Sequence, residues 1–202
     1  MPTTFLDAML AHDGDAPGIR RLQRAAAAAF VTVLTIAAAQ VSIPLPFTPV
    51  PFTFQPMVVL VGAAVLGARL GAASQIAYLA LGFAGLPVFA ASPLLPQGIA
   101  RLLGPTGGYL MAYPVAAFAA GWLAERGFDR RYASAVAAML CGLAIVFAGG
   151  VSWLALGLAS GWRAALAAGF YPFVTADLAK LLMAGAVMPA LWRVTGQHGS
   201  RG

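Results

Sequence analysis

The stretch PFTPVPFTFQP, Pro46–Pro56, places four prolines in eleven residues between two apolar runs. Proline fixes φ, lacks a backbone N–H, and pushes the residue before it to extended conformations. The stretch is therefore not helical. It is stiff, extended and uncharged, and being apolar it should lie against something. Its flanks, about Leu22–Val41 and Phe54–Ala68, read as membrane helices. A preformed lid over a cavity fits these properties; a bare connector is the plainer alternative.

The whole chain agrees with that setting. Of its 202 residues, 61% are hydrophobic and 9% charged, whereas a soluble domain is roughly half apolar and about a quarter charged. The reading is an all-α integral membrane protein with no room for a second globular domain. After the first two runs, further spans are expected at about Leu70–Gly85, Tyr109–Glu125, Ala133–Leu158 and Phe173–Trp192. Residues 1–21 form a polar tail, partly helical at FLDAML; 22–193 form the six-helix domain; 194–202 form a basic tail. Loops run from Ser42 to Thr53 and from Leu86 to Gly108, and ASGWRAALAAGFYP holds a short interfacial helix. Ala37-Ala38-Ala39 after an arginine cluster imitates a signal-peptide cleavage site. The apolar run is too long for such a signal, so it is read as a retained span.

The net charge of +6 does not mark a nucleic-acid binder, because the arginines sit in short clusters between apolar runs. With the N-terminus inside, Arg20, Arg21, Arg24, Arg69, Arg126, Arg130, Arg131, Arg193 and Arg201 are cytoplasmic, nine against Arg101 and Arg163 outside. That asymmetry orients both termini to the cytoplasm and both long loops outward. Cys141 is the single cysteine, read as a small core residue, so no internal disulfide exists. His12 and His198 lie in the tails, and no metal-ligand spacing is present. No metal and no cofactor are expected.

Two ionisable residues stand within a span, Asp177 and Lys180 in FVTADLAKLLM. Three apart, they share one helix face and are expected to pair. Lys180 lies about 12 Å along the axis from Pro172, in the outer half of the span. Charges in hydrocarbon are costly and mark ligand sites more often than structural pairs. The pair suits a ligand with an anionic end and an N–H-bearing end. Gln55, Gln75, Thr106, Tyr109, Tyr113 and Ser152 are further polar groups, each alone sufficient for an interhelical hydrogen bond. Arg101 either steers an anion or sits among headgroups. GPTGGY, Gly104–Tyr109, lacks the lysine of a phosphate loop; its glycines suit a tight turn and close backbone approach. No catalytic constellation is evident.

Three blocks carry a resemblance: IPLPFTPVPFTFQPMVVLVGAAVLGARLGAASQIAYLALGFAGLPVFA from Ile43, LLGPTGGYLMAYPVAAFAAGWLAER from Leu102, and PFVTADLAKLLMA from Pro172. They resemble the BioY family, the biotin-binding S components of energy-coupling-factor (ECF) transporters. The resemblance spans about Leu22 to Trp192. It implies the six-helix S-component bundle in a bacterial inner membrane. It also implies biotin captured from outside, beneath the loops after the first and third spans. Asp177 and Lys180 match the family's D-x-x-K block as ligand contacts. Thr48, Pro49, Val50 and Pro51 match its first-loop motif, and Gly104–Tyr109, with Thr106, its G-P-T-G-G-Y block. Gln55 and Arg101 complete the candidate substrate site. Biotin carries a carboxylate and a ureido ring with two N–H donors; which end meets Lys180 is left open.

The implied partners are membrane lipids, a transmembrane coupling subunit meeting Ala25-x-x-x-Ala29, and ATP-binding cassette ATPases. The segment ASPLLPQGIARLL after Phe89-Ala90 departs from the family's glycine-rich stretch, which leaves contacts from 92 to 101 undefined. Two alternatives stand beside this: a proton-coupled secondary transporter using Asp177, and a membrane enzyme using Asp177 and Lys180 as acid and base. The orientation is testable. Cysteines at Ser92 and Ser200, in a Cys141→Ala background, are exposed to an impermeant thiol reagent on intact cells. Labelling at Ser92 alone is expected; labelling at Ser200 alone overturns the topology.

Overall fold

The computed structural model describes residues 4–10, 16–91 and 96–195. His12, Asp13, Asp15, Ser92, His198 and Arg201 lie outside them. The described helices are α1 (Phe5–Met9), α2 (Pro17–Gln40), α3 (Gln55–Leu66), α4 (Ala68–Phe83) and α5 (Ile99–Leu103). Then come α6 (Gly107–Glu125), α7 (Tyr132–Ser152), α8 (Trp162–Gly169), α9 (Tyr171–Ala184) and α10 (Val187–Val194). A π-helical turn, Trp153–Gly157, extends α7. Among the described residues, three helical stretches are long and apolar enough to cross a membrane: Pro17–Gln40, Tyr132–Gly157 and Tyr171–Val194.

Helix α6 packs on α3, α4 and α7. Its buried face is built from small residues, Ala116, Ala117, Ala120, Gly121 and Ala124. Lipid offers apolar side chains no less favourable a home than another helix does, so close backbone approach is what holds such helices together. Gly121 illustrates it: a Cβ there would meet the Gly67 carbonyl carbon at 2.5 Å. Gly67 is itself the whole α3–α4 turn, at φ +84°. Glu125 Oε1 accepts from the Ala68 N–H at 2.8 Å, so a side chain of α6 caps α4.

Several expectations need correction. The proline stretch is non-helical through Phe54, but it is not extended throughout: the chain turns at Pro46–Phe47, where the Thr48 N–H donates to the Leu45 carbonyl at 3.4 Å, and so brings β1 (Ser42–Ile43) antiparallel to β2 (Phe52–Thr53), with Ser42 opposite Thr53 and Ile43 opposite Phe52. The prolines at 44, 46, 49 and 51 occupy the connection, where no ladder N–H is required. Helix α2 begins at Pro17, ahead of its apolar run, because proline suits the first helical turn. The 86–108 loop contains a helix, α5. The last span breaks at Gly185–Ala186, because Pro189 lacks the N–H and its ring opposes the carbonyl four residues back. Cys141 is exposed on the outside of α7, not in the core. The helices expected at FLDAML and at ASGWRAALAAGFYP are present as α1 and α8.

At the end of the bundle away from the proline stretch, α1 closes the floor. Phe5 and Ala8 pack with Ala64, Ala124, Met188 and Trp192. The Phe5 ring meets Trp192 edge-on at 5.1 Å. Trp192 Nε1 donates to Asp129 Oδ2 at 2.6 Å, and the Arg130 guanidinium covers the indole at 3.6 Å. Burial raises the Asp129 pKa above the ordinary carboxylate value, opposed by the Trp192 N–H and by Arg130.

A prediction follows from Asp129. Asp129→Ala strands the Trp192 N–H and should cost about 1–3 kcal/mol. Asp129→Asn keeps an oxygen acceptor and removes the buried charge, so it should be the more stable variant at neutral pH. A pKa raised on folding means the native state binds the proton more tightly, so wild-type stability should rise as pH falls from about 7 toward the carboxylate range. Thermal unfolding in one detergent tests this: the wild type should gain on Asp129→Asn upon acidification, and losing ground would refute it.

Candidate functional site

The site is assembled where the proline stretch meets the bundle. Asp177 and Lys180, one turn apart on α9, are both buried, with side chains 10% and 7% exposed, and form an ion pair. Lys180 Nζ also donates to the Thr53 carbonyl at 2.6 Å and sits 3.9 Å from the centre of the Phe52 ring. A buried ammonium needs this saturation. The lysine thus joins α9 to β2 and fixes the end of the proline stretch.

The stretch is pinned at two more points. Thr48 Oγ1 donates to the Ala168 carbonyl at 2.6 Å and accepts from the Val50 N–H at 3.1 Å. Ser42 Oγ donates to the Ala91 carbonyl at 2.8 Å. Val50 is consequently buried, while Pro49 faces outward.

Beneath lies a cavity of about 60 Å³. Of the candidate residues, Val50, Pro51, Gln55, Arg101, Thr106, Tyr109 and Asp177 line it. Thr48, Pro49, Gly104 and Lys180 do not. Lys180 borders a smaller recess beside Met57, Leu60 and Met139, which Asp177 also touches. Gly104 contributes its carbonyl, which accepts from Trp153 Nε1 at 3.0 Å. Its block works by close approach: a Cβ at Gly107 would stand 1.7 Å from the Leu102 carbonyl oxygen. Tyr109 Oη donates to the Gly169 carbonyl at 2.7 Å, fixing the ring at the cavity wall.

Arg101 is 1% exposed, so it does not sit among headgroups. Helix α5 turns it inward, where its guanidinium donates to the Pro96 and Ala90 carbonyls at 2.7 and 2.9 Å. Burial pulls its pKa below the ordinary arginine value. Thr106 Oγ1 is buried at the cavity without a hydrogen-bond partner.

Other polar candidates divide. Tyr113 lines the cavity. Gln75 lies instead in the α2–α4 seam, donating to Thr35 Oγ1 at 3.3 Å and Ser74 Oγ at 3.1 Å. Ser152 borders an outward groove with Met111 and Val115. Ala25 and Ala29 are both exposed on α2, far along the chain from the cavity.

Sequence reasoning missed Tyr78, Phe89, Phe147 and Phe173. The three phenylalanines line the cavity. Nothing in an apolar run distinguishes a cavity phenylalanine from a core one. Tyr78 carried a signal: it stands three residues after Gln75, a second polar handle on the same face of α4.

The architecture and the sequence both have close counterparts. The BioY family model matches residues 10–197. The chain is 41% identical over 160 residues to the biotin transporter BioY of Thermotoga maritima, covering 79% of this chain and 90% of that one. It is 34% identical over 149 residues to the biotin transporter BioY of Rhizobium etli, covering 70% and 78% respectively. A crystal structure of the S-component for biotin from an ECF-type ABC transporter superposes with TM-score 0.77 at 26% identity, covering 89% of this chain and 95% of that one. Fold, sequence blocks and family model coincide over nearly the whole chain, and the protein is a member of the BioY family, an apolar helical membrane protein of the transporter S-component class.

Proposed function

We propose that this protein captures biotin from the outer face of the membrane, in the cavity beneath the proline stretch and the α4–α6 connection. The carrying observation is the lining of that cavity: a carboxylate from Asp177, a cation from Arg101, and an apolar wall of Val50, Phe147, Phe173 and Tyr109. Biotin has the complementary parts. Its ureido N–H groups are donors for Asp177, its carboxylate is an anion for Arg101, and its fused-ring body and alkyl tail fit the aromatic wall. Lys180 acts from behind, paired with Asp177 and holding the Thr53 end of the lid in place.

The relatives named as biotin transporters support this substrate, and the S-component match supports the role of a capture subunit rather than an enzyme. A separate transmembrane coupling subunit and ATP-binding cassette ATPases would supply the energy, with Ala25 and Ala29 on the exposed face of α2 as the contact offered to the coupling subunit. The domain crosses the membrane six times, both termini lie in the cytoplasm, and no cofactor takes part. The cavity is far smaller than the several hundred Å³ of a typical ligand pocket, so entry requires the lid to lift.

Radiolabelled biotin should bind the purified protein in detergent without ATP, at one site per chain; absence of binding overturns the capture role. Uptake by cells separates the energy sources: ATP depletion should stop it where a protonophore acting alone does not.

The lid and the ion pair make two further predictions. Pro49→Gly and Pro51→Gly add freedom to the empty loop, which must be ordered on binding, so both should speed biotin dissociation. Unchanged dissociation in both would leave the stretch a mere connector. Lys180→Met and Asp177→Asn should each give a monodisperse protein that has lost at least about tenfold in biotin affinity, or about 1.4 kcal/mol. The double variant should fold no worse than either, since the charges vanish together, and should still not bind. Near-native affinity in the double variant would make the pair structural and shift the site to the loops and Tyr109.

A further inference from the structure

Tyr78 is 0% exposed on α4, and it joins the two segments that roof the cavity. Gln55 Nε2, from the first turn of α3 directly after the proline stretch, donates to Tyr78 Oη at 2.7 Å. Tyr78 Oη in turn donates to the Val88 carbonyl, in the α4–α6 connection, at 3.4 Å. The Tyr78 ring meets Phe89 edge-on at 5.5 Å. Phe89 lies on the cavity wall, and its ring fills the space left by Gly82, where a Cβ would stand 2.0 Å from Cζ. The tyrosine is therefore fixed by its ring as well as its hydroxyl.

The direction of the hydrogen bonds has a chemical consequence. A carbonyl only accepts, so the single phenolic proton goes to Val88 and the phenol oxygen is left to accept. Its partner must then be the amide nitrogen of Gln55. That leaves the opposite face of the amide, the oxygen Oε1, as the group Gln55 offers to the cavity it lines. Reversing the amide would take the phenolic proton away from Val88 in an interior where every such group needs a partner.

We infer that Tyr78 is a positioning residue that fixes Gln55 as an acceptor facing the cavity, and that this relay selects ligands carrying N–H donors. This rests on the biotin-capture reading and deepens it: with Asp177 the cavity presents two acceptors, matching a ureido ring with two donors. A site built around a donor rejects an analogue that lacks it far more sharply than an apolar pocket rejects a change of size.

The test compares biotin with the two carbamate analogues in which one or other ureido N–H is replaced by O. Wild-type protein should prefer biotin to each analogue by at least about tenfold. Tyr78→Phe should weaken biotin binding about fivefold, the loss of one oriented neutral hydrogen bond, and should narrow the preference over one of the analogues. In a Gln55→Ala background, Tyr78→Phe should change neither quantity. Equal effects with and without Gln55 would make Tyr78 a packing residue and overturn the assignment, as would an undiminished preference in Tyr78→Phe.

Should Tyr78→Phe fail to fold, Gln55 supplies the decision. Gln55→Glu, an acceptor at the same place, should keep the N–H preference, and Gln55→Leu should narrow it; full preference in Gln55→Leu overturns the assignment. Wild-type protein that binds no biotin overturns the capture reading and this assignment together. Wild-type binding with equal Tyr78→Phe effects in the two backgrounds overturns this assignment alone.

Discussion

The buried ammonium of Lys180 is the constraint around which the proline-stretch end of the molecule is arranged. Taking a lysine out of water is costly unless each of its donors finds an acceptor. Here the acceptors come from two separate places in the chain: Asp177, one helical turn away, and the Thr53 carbonyl at the end of the hairpin. The Phe52 ring closes over the same charge. Because one of those acceptors is backbone of the proline hairpin, satisfying the lysine also ties that hairpin to α9. A lid that lifts must leave Thr53 behind or carry the hairpin away from α9.

The roof is otherwise tied through backbone carbonyls. Thr48 reaches Ala168, Ser42 reaches Ala91, Tyr109 reaches Gly169, Trp153 reaches Gly104, and Arg101 reaches Ala90 and Pro96. In each case a side chain from one segment satisfies a carbonyl of another that has no regular ladder to serve it. Irregular backbone at membrane depth is tolerable only under such satisfaction. The prolines reduce the demand further, since each removes one donor. The opposite end of the molecule is closed in a different way, by aromatic packing of Phe5 on Trp192 and a single buried carboxylate, Asp129.

Much of this was legible in the residues. Apolar run lengths located the helices to within a few residues, because a span in lipid must be mostly apolar along its length. The D-x-x-K spacing placed both charges on one face, because 3.6 residues make a turn. The proline density ruled out helix from Pro46 to Phe54 whatever its surroundings. What stayed hidden was long-range. Ser42 pairs with Thr53 only because the proline connection returns the chain on itself, and a two-residue ladder leaves no periodicity to detect. The break at Gly185 was encoded by Pro189, yet Pro114 sits within an unbroken α6, so proline alone did not decide between a kink and a stop.

By itself, then, the sequence determined the membrane setting, the helical class, the non-helical proline stretch and the pairing of Asp177 with Lys180, all of which depend on composition or on neighbours within a turn or two. Only the tertiary structure decided that Lys180 turns away from the cavity toward Thr53, that Arg101 is drawn inside rather than left at the surface, and that Tyr78 stands between Gln55 and Val88. Those outcomes depend on which carbonyls the fold brings within about 3 Å of a buried donor, and one-dimensional spacing carries no information about that.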